Sequence, residues 1–214
     1  MRVAAVMAMI ACLFVAVASA ASTAGIVTAG QARGTAGANL QAVTLNRLSL
    51  IDQKEFERFL PQLRQAMEQL SPQAAMGRET LALIAGKLRR TAETSPDYWP
   101  TVLRYLQFAS SRMAPDAPPP GQKPRALSDI LFVGIMREVR EDRKSILFDG
   151  GNLGNGVFIN CRIIFTQSAV QMQNVSFRNC AFEFPATDAP SPYLRKISRI
   201  LLASNLAAVS IASL

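Results

Sequence analysis

The stretch Asn155-Gly-Val-Phe-Ile-Asn-Cys-Arg-Ile-Ile-Phe165 recurs nineteen residues further along the chain as Asn174-Val-Ser-Phe-Arg-Asn-Cys-Ala-Phe-Glu-Phe184. Five of the eleven positions are identical, and a sixth pair, Ile163 and Phe182, is apolar in both copies. Polar corners separate these short apolar alternations. The period therefore predicts successive turns of a parallel β solenoid, in which equivalent residues stack about 4.8 Å apart.

Alternation within each copy assigns its side chains to two faces of a strand. The repeated core and corner positions are Phe158, Asn160, Cys161, Phe165, Phe177, Asn179, Cys180 and Phe184. Asn160 and Asn179 are expected to stack at a corner, because asparagine tolerates left-handed backbone and its amide can bond to the chain. Ile159 and Ile164 have the opposite parity, which predicts that a helix packs over the outer face.

The pattern Phe-x-Asn-Cys-x-apolar-x-Phe, preceded by Phe148-Asp-Gly-Gly151, resembles the turns of right-handed β-helix repeat proteins, in particular small exported bacterial proteins of unknown function. The resemblance covers about residues 145–184 and implies a short right-handed parallel β-helix of two to three turns within residues 128–190. Larger members of this group include polysaccharide lyases and hydrolases. Their catalytic pattern of Asp, Lys and Arg is not found here, so no catalytic residue is carried over.

The N-terminal segment has the pattern of a secretory signal peptide. After Arg2, residues 3–18 carry no charge and run into Ala18-Ser19-Ala20, a small-x-small cleavage site. We therefore expect residues 1–20 to be removed and the rest to be exported to the periplasm or secreted. Two alternatives stay open: an uncleaved leader that anchors the chain in the inner membrane, and a lipoprotein acylated at Cys12.

A flexible spacer and an α-helical region follow the leader. Residues 21–43 are rich in Ala, Gly, Thr and Gln, a composition typical of spacers. Within residues 44–112 apolar residues recur mostly at three- and four-residue steps, which indicates helices with one buried face. Three helices are expected, near residues 44–70, 72–93 and 96–112. Pro61 predicts a kink or a break in the first.

Two side-chain groups in the helical region have both a structural and a ligand-binding interpretation. The third helix carries the aromatic residues Tyr98, Trp99, Tyr105 and Phe108. Because valine and leucine share this helix, a helix–helix core is favoured over ligand stacking. The second helix ends in the basic residues Lys87, Arg89 and Arg90. There they complement the helix dipole, which is favoured over a phosphate site.

A proline-rich linker, residues 113–127, is the best domain boundary, because it cannot continue a helix. Beyond it, residues 128–136 favour another helix over a buried strand, and residues 137–144 mix both signs of charge, as solvated surfaces do. Ser191-Pro192 opens a C-terminal amphipathic helix, and residues 191–214 end in an uncharged tail. That tail is expected to pack on the solenoid end, with contact to a membrane surface as the alternative. The predicted class is α+β.

The amino-acid composition excludes several classes of catalytic site and metal site. The net charge of +8 favours non-specific attraction to anionic envelope polymers, lipid headgroups or nucleic acid, without a specific nucleic-acid motif. The absence of histidine excludes Ser-His-Asp and Cys-His catalysis and zinc sites with imidazole ligands. Beyond the leader only Cys161 and Cys180 remain. Buried free thiols are favoured over a strained disulfide between them, and no metal or cofactor is expected.

Three functions are compatible with these patterns. The leading hypothesis is a non-catalytic exported envelope protein that acts as a scaffold or binding module for an envelope polymer or a protein partner. The second is a carbohydrate-binding or carbohydrate-active β-helix protein. Its ligand surface would consist of Arg162, Arg178, Glu183, Gln171 and Gln173, although a solvated strand surface is the simpler interpretation. The third is association with a membrane surface through residues 192–214.

Overall fold

Helices and parallel sheets together build the protein. A computed structural model of the protein describes residues 43–70, 77–127 and 139–214. Within these ranges the fold is mixed, with six helices and two sheets whose strands are mainly parallel, which confirms the α+β class. The leader, nearly all of the spacer, the start of the second predicted helix and the helix favoured for residues 128–136 lie outside the described residues.

The first predicted helix is divided into three. These are α1 (residues 43–50), α2 (Gln53–Arg58) and α3 (Leu60–Gln69). The break before α2 is not anticipated by the apolar period: the Asp52 side chain accepts a hydrogen bond of 2.8 Å from the backbone N–H of Glu55 and starts a new helix. The predicted break near Pro61 is confirmed, because this proline lies in the first turn of α3.

Two longer helices follow, α4 (Arg78–Leu88) and α5 (Tyr98–Met113). Helix α4 ends at Leu88 rather than near residue 93. The Thr91 hydroxyl and backbone N–H both donate to the carbonyl oxygen of Lys87 in its last turn. The aromatic residues of α5 are buried, which confirms the core interpretation. They are Tyr98, Trp99, Tyr105 and Phe108.

The strands form two sheets between which the chain alternates. The first sheet contains, in order, β1 (Arg125–Ala126), β3 (Ser145–Phe148), β6 (Arg162–Phe165) and β8 (Ala181–Glu183). The second contains β2 (Val139–Asp142), β5 (Gly156–Ile159), β7 (Val170–Arg178) and β4 (Gly151–Gly154). A last strand, β9 (Ala208–Ser213), pairs with β7.

The repeat determines the register between neighbouring strands. Phe158 pairs with Phe177, and Ile163 with Phe182, each nineteen residues further along the chain. The rings of Phe158 and Phe177 stack with their centroids 5.4 Å apart. Stacked phenylalanine side chains therefore fill the space between the two sheets, at the positions that the alternation assigned to the interior.

Asparagine residues occupy the corners of the chain. Asn155, Asn160, Asn174 and Asn179 all have positive φ, between 49° and 53°. The Asn179 side-chain amide donates to Oδ1 of Asn160 at 2.7 Å, and that of Asn174 donates to Oδ1 of Asn155 at 3.2 Å. The predicted stacking of Asn160 and Asn179 at a corner is therefore confirmed, and a second asparagine pair repeats it.

The C-terminal segment packs on the sheets, as favoured, but not wholly as a helix. Helix α6 (Pro192–Ala203) begins where the Ser191 hydroxyl accepts a hydrogen bond from the Leu194 N–H. The chain then turns into β9, which runs antiparallel to β7 and pairs Val209 with Phe177. Strand β9 thus covers an edge of the second sheet.

The helices and the sheets share one hydrophobic cluster, which extends from Leu45 in α1 to Ile211 in β9. Helix α5 approaches the first sheet at the edge of β8, where the Ser110 hydroxyl bonds to the Phe182 backbone. Ile159 and Ile164, which predicted a helix over the outer face, are half-buried. The described segments on both sides of the proline-rich stretch therefore contribute to the same core.

Candidate functional site

The five residues of the predicted ligand surface lie on two different sheets. Gln171, Gln173 and Arg178 are exposed on β7. Arg162 and Glu183 belong to β6 and β8 of the first sheet. Arg162 is only 7% exposed, so it is not part of a solvated strand surface. The structure does not bring the five side chains together in one groove.

Arg162 and Glu183 instead pair with each other. Nε of Arg162 lies 2.6 Å from Oε1 of Glu183, and Nη2 lies 3.0 Å from Oε2, which is the bidentate geometry of a strong ion pair. Nη1 of Arg162 also donates to the Gln122 carbonyl oxygen and to the Ser145 hydroxyl. These contacts hold the proline-rich segment against the first sheet, which is a structural role.

The two cysteines are buried free thiols. The Cys161 thiol donates to the Ile159 carbonyl oxygen at 3.2 Å, and the Cys180 thiol donates to that of Arg178 at 3.4 Å. Contact with Cys161, followed by burial, raises the pKa of Cys180, and contact with Cys180 lowers the pKa of Cys161. Because both sulfurs lie in the core, neither is placed to attack a substrate from solvent.

A groove of about 590 Å³ lies where α3, α5 and the segment after β8 meet, and we call it the helix groove. Its apolar wall consists of Pro100 and Leu103 from α5 and of Phe184 and Pro185 from the segment after β8. The polar lining comes from the same three segments. It consists of Arg64, Glu68, Arg104, Gln107, Thr187 and Asp188.

The two arginines of the helix groove use few of their donors. Nη2 of Arg104 donates to the Met67 carbonyl oxygen at 2.9 Å, while its buried Nε has no hydrogen-bond partner. Nη2 of Arg64 lies 4.0 Å from Oδ1 of Asp97, at the limit of an ion pair. Since each guanidinium has five N–H donors, most remain for an acceptor that enters the groove.

The helix groove combines guanidinium donors, carboxylate acceptors, a side-chain amide and a partly apolar wall. Such a mixture suits a ligand that presents hydroxyl or carboxylate groups on one side and an apolar face on the other. Among the described residues, no three Cys, Asp or Glu side chains group closely enough to hold a metal ion.

Sequence reasoning missed this groove because its residues come from three separate segments. Two signals were present within the helices: Arg64 and Glu68 are four residues apart, and Arg104 and Gln107 three, so that each pair lies on one helix face. Neither spacing identifies a ligand. The third segment, residues 184–188, begins with Phe184, the last residue of the repeat. Its ring stacks on that of Phe165 with the centroids 5.3 Å apart, and it is half-buried beside the groove.

Comparisons with other proteins do not assign the site. Nothing matches the chain among protein-family models, curated proteins or solved structures. The part of the chain that the structure describes contains no helix long and apolar enough to cross a membrane. The geometry of the groove is therefore the basis for a functional proposal.

Proposed function

We propose that the protein is a non-catalytic exported envelope protein, in which a short right-handed parallel β-helix and the helices packed on it serve as a scaffold for a saccharide-binding groove. The observation that carries the proposal is the helix groove, whose lining combines two arginines that make few contacts within the protein with proline and phenylalanine side chains. A saccharide fits this combination, because one face of a sugar ring is apolar and its edge carries hydroxyl or carboxylate groups.

Two further observations support the rest of the proposal. The parallel registers and the left-handed asparagine corners recur at equivalent positions, as in the turns of a β-helix. The leader pattern of residues 1–20 and the net charge of +8 favour export and attraction to anionic envelope polymers. Together they describe a rigid exported module whose ligand is held at one groove.

Binding to an isolated cell-wall polymer tests the groove. Purified protein is sedimented with insoluble envelope saccharide, and the bound fraction is compared for the wild type, the Arg64→Met/Arg104→Met variant and the control Arg58→Met. Arg58 is an exposed arginine of α2 outside the groove. We expect the double variant to lose binding while Arg58→Met keeps it. Because the double variant also loses the Arg104 bond to the Met67 carbonyl oxygen, thermal melting verifies that it is folded at the temperature of the binding experiment. Equal sedimentation of all three would overturn the assignment of the groove.

Export is tested separately. The chain is expressed from its full reading frame in its own host, the cell is fractionated, and the N-terminus of the protein is sequenced. We expect a chain that begins at Ala21 outside the cytoplasm. A chain that begins at Met1 in the cytoplasmic fraction would contradict export and would leave the groove assignment to the binding experiment.

A further inference from the structure

A second pocket, of about 330 Å³, lies between α4, α5 and the turn after α6, and we call it the α4–α6 pocket. It shares no lining residue with the helix groove. Its lining is mixed, with slightly more polar than apolar surface. The aliphatic part includes Ala82, Ala85, Met113, Leu201, Leu202 and Leu206. A pocket of this size is at the lower end of the range for small-molecule sites.

The charge of the α4–α6 pocket has one sign. Arg78 and Arg89 line it, and no Asp or Glu does. Both arginines are exposed, and within the described part of the chain neither side chain has a hydrogen bond or an ion pair. Two arginine side chains beside a partly aliphatic cavity produce a positive potential that is not neutralised within the pocket lining.

The polar groups of the pocket wall are already bonded within the protein. The Tyr105 hydroxyl donates to the Leu81 carbonyl oxygen at 2.8 Å, and the Ser204 hydroxyl donates to that of Leu201 at 2.9 Å. Oδ1 of Asn205 accepts from the Ala207 N–H at 3.2 Å. The wall therefore offers a sugar few free acceptors, and the unused donors are those of the two guanidinium groups and of the Asn205 amide.

Arg89 lines the pocket at the C-terminal end of α4. It follows the last residue of α4, and its side chain folds back along the helix, with Nη2 3.9 Å from the point that a Cβ on Gly86 would occupy. Burial raises the pKa of Tyr105 in the pocket wall, and the positive charge of Arg89 partly opposes this increase. Arg89 is thus the better-placed partner for an anionic head, and Arg78 adds positive potential at the other end of α4.

We propose that the α4–α6 pocket binds a single-chain anionic amphiphile, with its aliphatic chain against the leucine and alanine wall and its carboxylate or phosphate head on Arg89. Apolar burial and a charge-assisted hydrogen bond then act on two ends of one molecule. A free fatty acid and a single-chain phospholipid share this chemistry. The inference is independent of the saccharide groove.

Calorimetric titration of the full chain tests the proposal with four probes: decanoate, decyl phosphate, decyltrimethylammonium and inorganic phosphate. We expect saturable binding of one or both decyl anions and none of inorganic phosphate or the cationic amphiphile. The stronger of the two anions identifies the head group as a carboxylate or a phosphate. Equal binding of the cationic amphiphile, or binding of inorganic phosphate alone, would overturn the proposal.

Matched variants locate the site. Arg89→Met is expected to weaken binding of the decyl anion by about tenfold or more, as for the loss of a hydrogen bond to a charged group. Arg90→Met is the control, since Arg90 is the neighbouring residue, donates to the Gly86 carbonyl oxygen and does not line the pocket. Ala82→Phe fills the cavity from an exposed position of α4 and is expected to abolish binding without unfolding the protein. Unchanged affinity in both Arg89→Met and Ala82→Phe, with folding verified by thermal melting, would exclude this pocket.

Discussion

The hydroxyl oxygen of Ser110 in α5 accepts a hydrogen bond of 2.9 Å from the backbone N–H of Phe182 in β8. In a parallel sheet, successive residues of a strand direct their backbone groups to opposite sides. The Ala181 N–H points towards the chain segment before β6, where it donates to the Cys161 carbonyl oxygen, so the Phe182 N–H points the other way. The Phe182 N–H therefore belongs to the free edge of the sheet. Ser110 satisfies it, so one helix side chain closes an edge that would otherwise expose a donor to pairing with another chain.

Replacement of Ser110 is expected to destabilise the fold. Ser110 is fully buried, so Ser110→Ala leaves the Phe182 N–H without a partner in the core and costs about 1–3 kcal/mol of unfolding free energy. Ser111→Ala is the control, because the Ser111 hydroxyl bonds only to the Phe108 carbonyl within its own helix. Urea denaturation measures both. Equal stability of the two variants would contradict a special role for the Ser110 contact.

The sequence predicted the part of the fold that repeats. The two copies of the repeat can occupy equivalent places in neighbouring strands only if each phenylalanine lies beside the one nineteen residues further along. The repeat therefore predicted which phenylalanines pair. Strand β9 could not be found in this way, because Val209 and Ile211 alternate in an uncharged tail that also fits a helix, and the partner strand β7 is remote in sequence. A tertiary contact decides its conformation.

The candidate sites were less predictable than the fold, because they too depend on contacts between segments that are remote in sequence. Strand parity placed Arg162 on the outer side of β6, but parity does not tell whether another segment covers that side. The proline-rich stretch does so here through the Gln122 carbonyl oxygen. Arg64, Arg104 and Arg78 likewise became candidates only once helices remote in sequence were seen to pack together. Arg89 already belonged to the basic group at the end of the second helix, for which a phosphate site was the less favoured interpretation.

The asparagine corner predicts an unusual order of stability. Asn179 has φ of 49° and donates to Asn160. Asn179→Ala loses the hydrogen bond and adds about 1–2 kcal/mol of left-handed backbone strain, whereas Asn179→Gly loses the hydrogen bond without that strain. We therefore expect glycine to be the more stable replacement, by about 1 kcal/mol in urea denaturation. At Asn152, an exposed strand residue outside the positive-φ corners, the order should reverse. The same order at both sites would refute the backbone explanation.

The Arg162–Glu183 ion pair predicts strong coupling between its two residues. Arg162→Met leaves Glu183 without its partner and removes the bonds to Gln122 and Ser145, at a cost of about 2 kcal/mol or more. Arg162→Met/Glu183→Met should recover part of that loss, because the unpaired carboxylate is also removed. A double-mutant cycle in urea measures the coupling. The control is Arg125→Met, which removes the more exposed ion pair to Glu141 and should cost less than about 1 kcal/mol. An additive cycle at Arg162 and Glu183 would contradict the pairing.

The ion pair between α6 and the turn before α5 predicts a pH dependence of stability. Nε of Arg199 lies 2.8 Å from Oε1 of Glu93, and this hydrogen bond lowers the pKa of Glu93 below its ordinary value. A carboxylate whose pKa is lower in the folded state contributes stability that is fully present above the unfolded pKa, about 4.3, and is lost as the pH falls through the folded pKa. Because the pair is largely exposed, its contribution should stay below about 1 kcal/mol and decrease in high salt.

Glu93→Gln is therefore expected to reduce the unfolding free energy at about pH 7, by an amount that decreases as the pH falls through the lowered folded pKa of Glu93 and the native carboxylate becomes protonated as well. Glu68→Gln makes the same chemical change at an exposed residue of α3 that has neither an ion pair nor a hydrogen bond within the described part of the chain. Urea denaturation of both variants across this pH range separates loss of the ion pair from loss of charge. A Glu93→Gln effect that persists undiminished at low pH would mean that packing of the Arg199 guanidinium on Trp99, 5.6 Å from the ring centroid, holds α6 in place without the carboxylate.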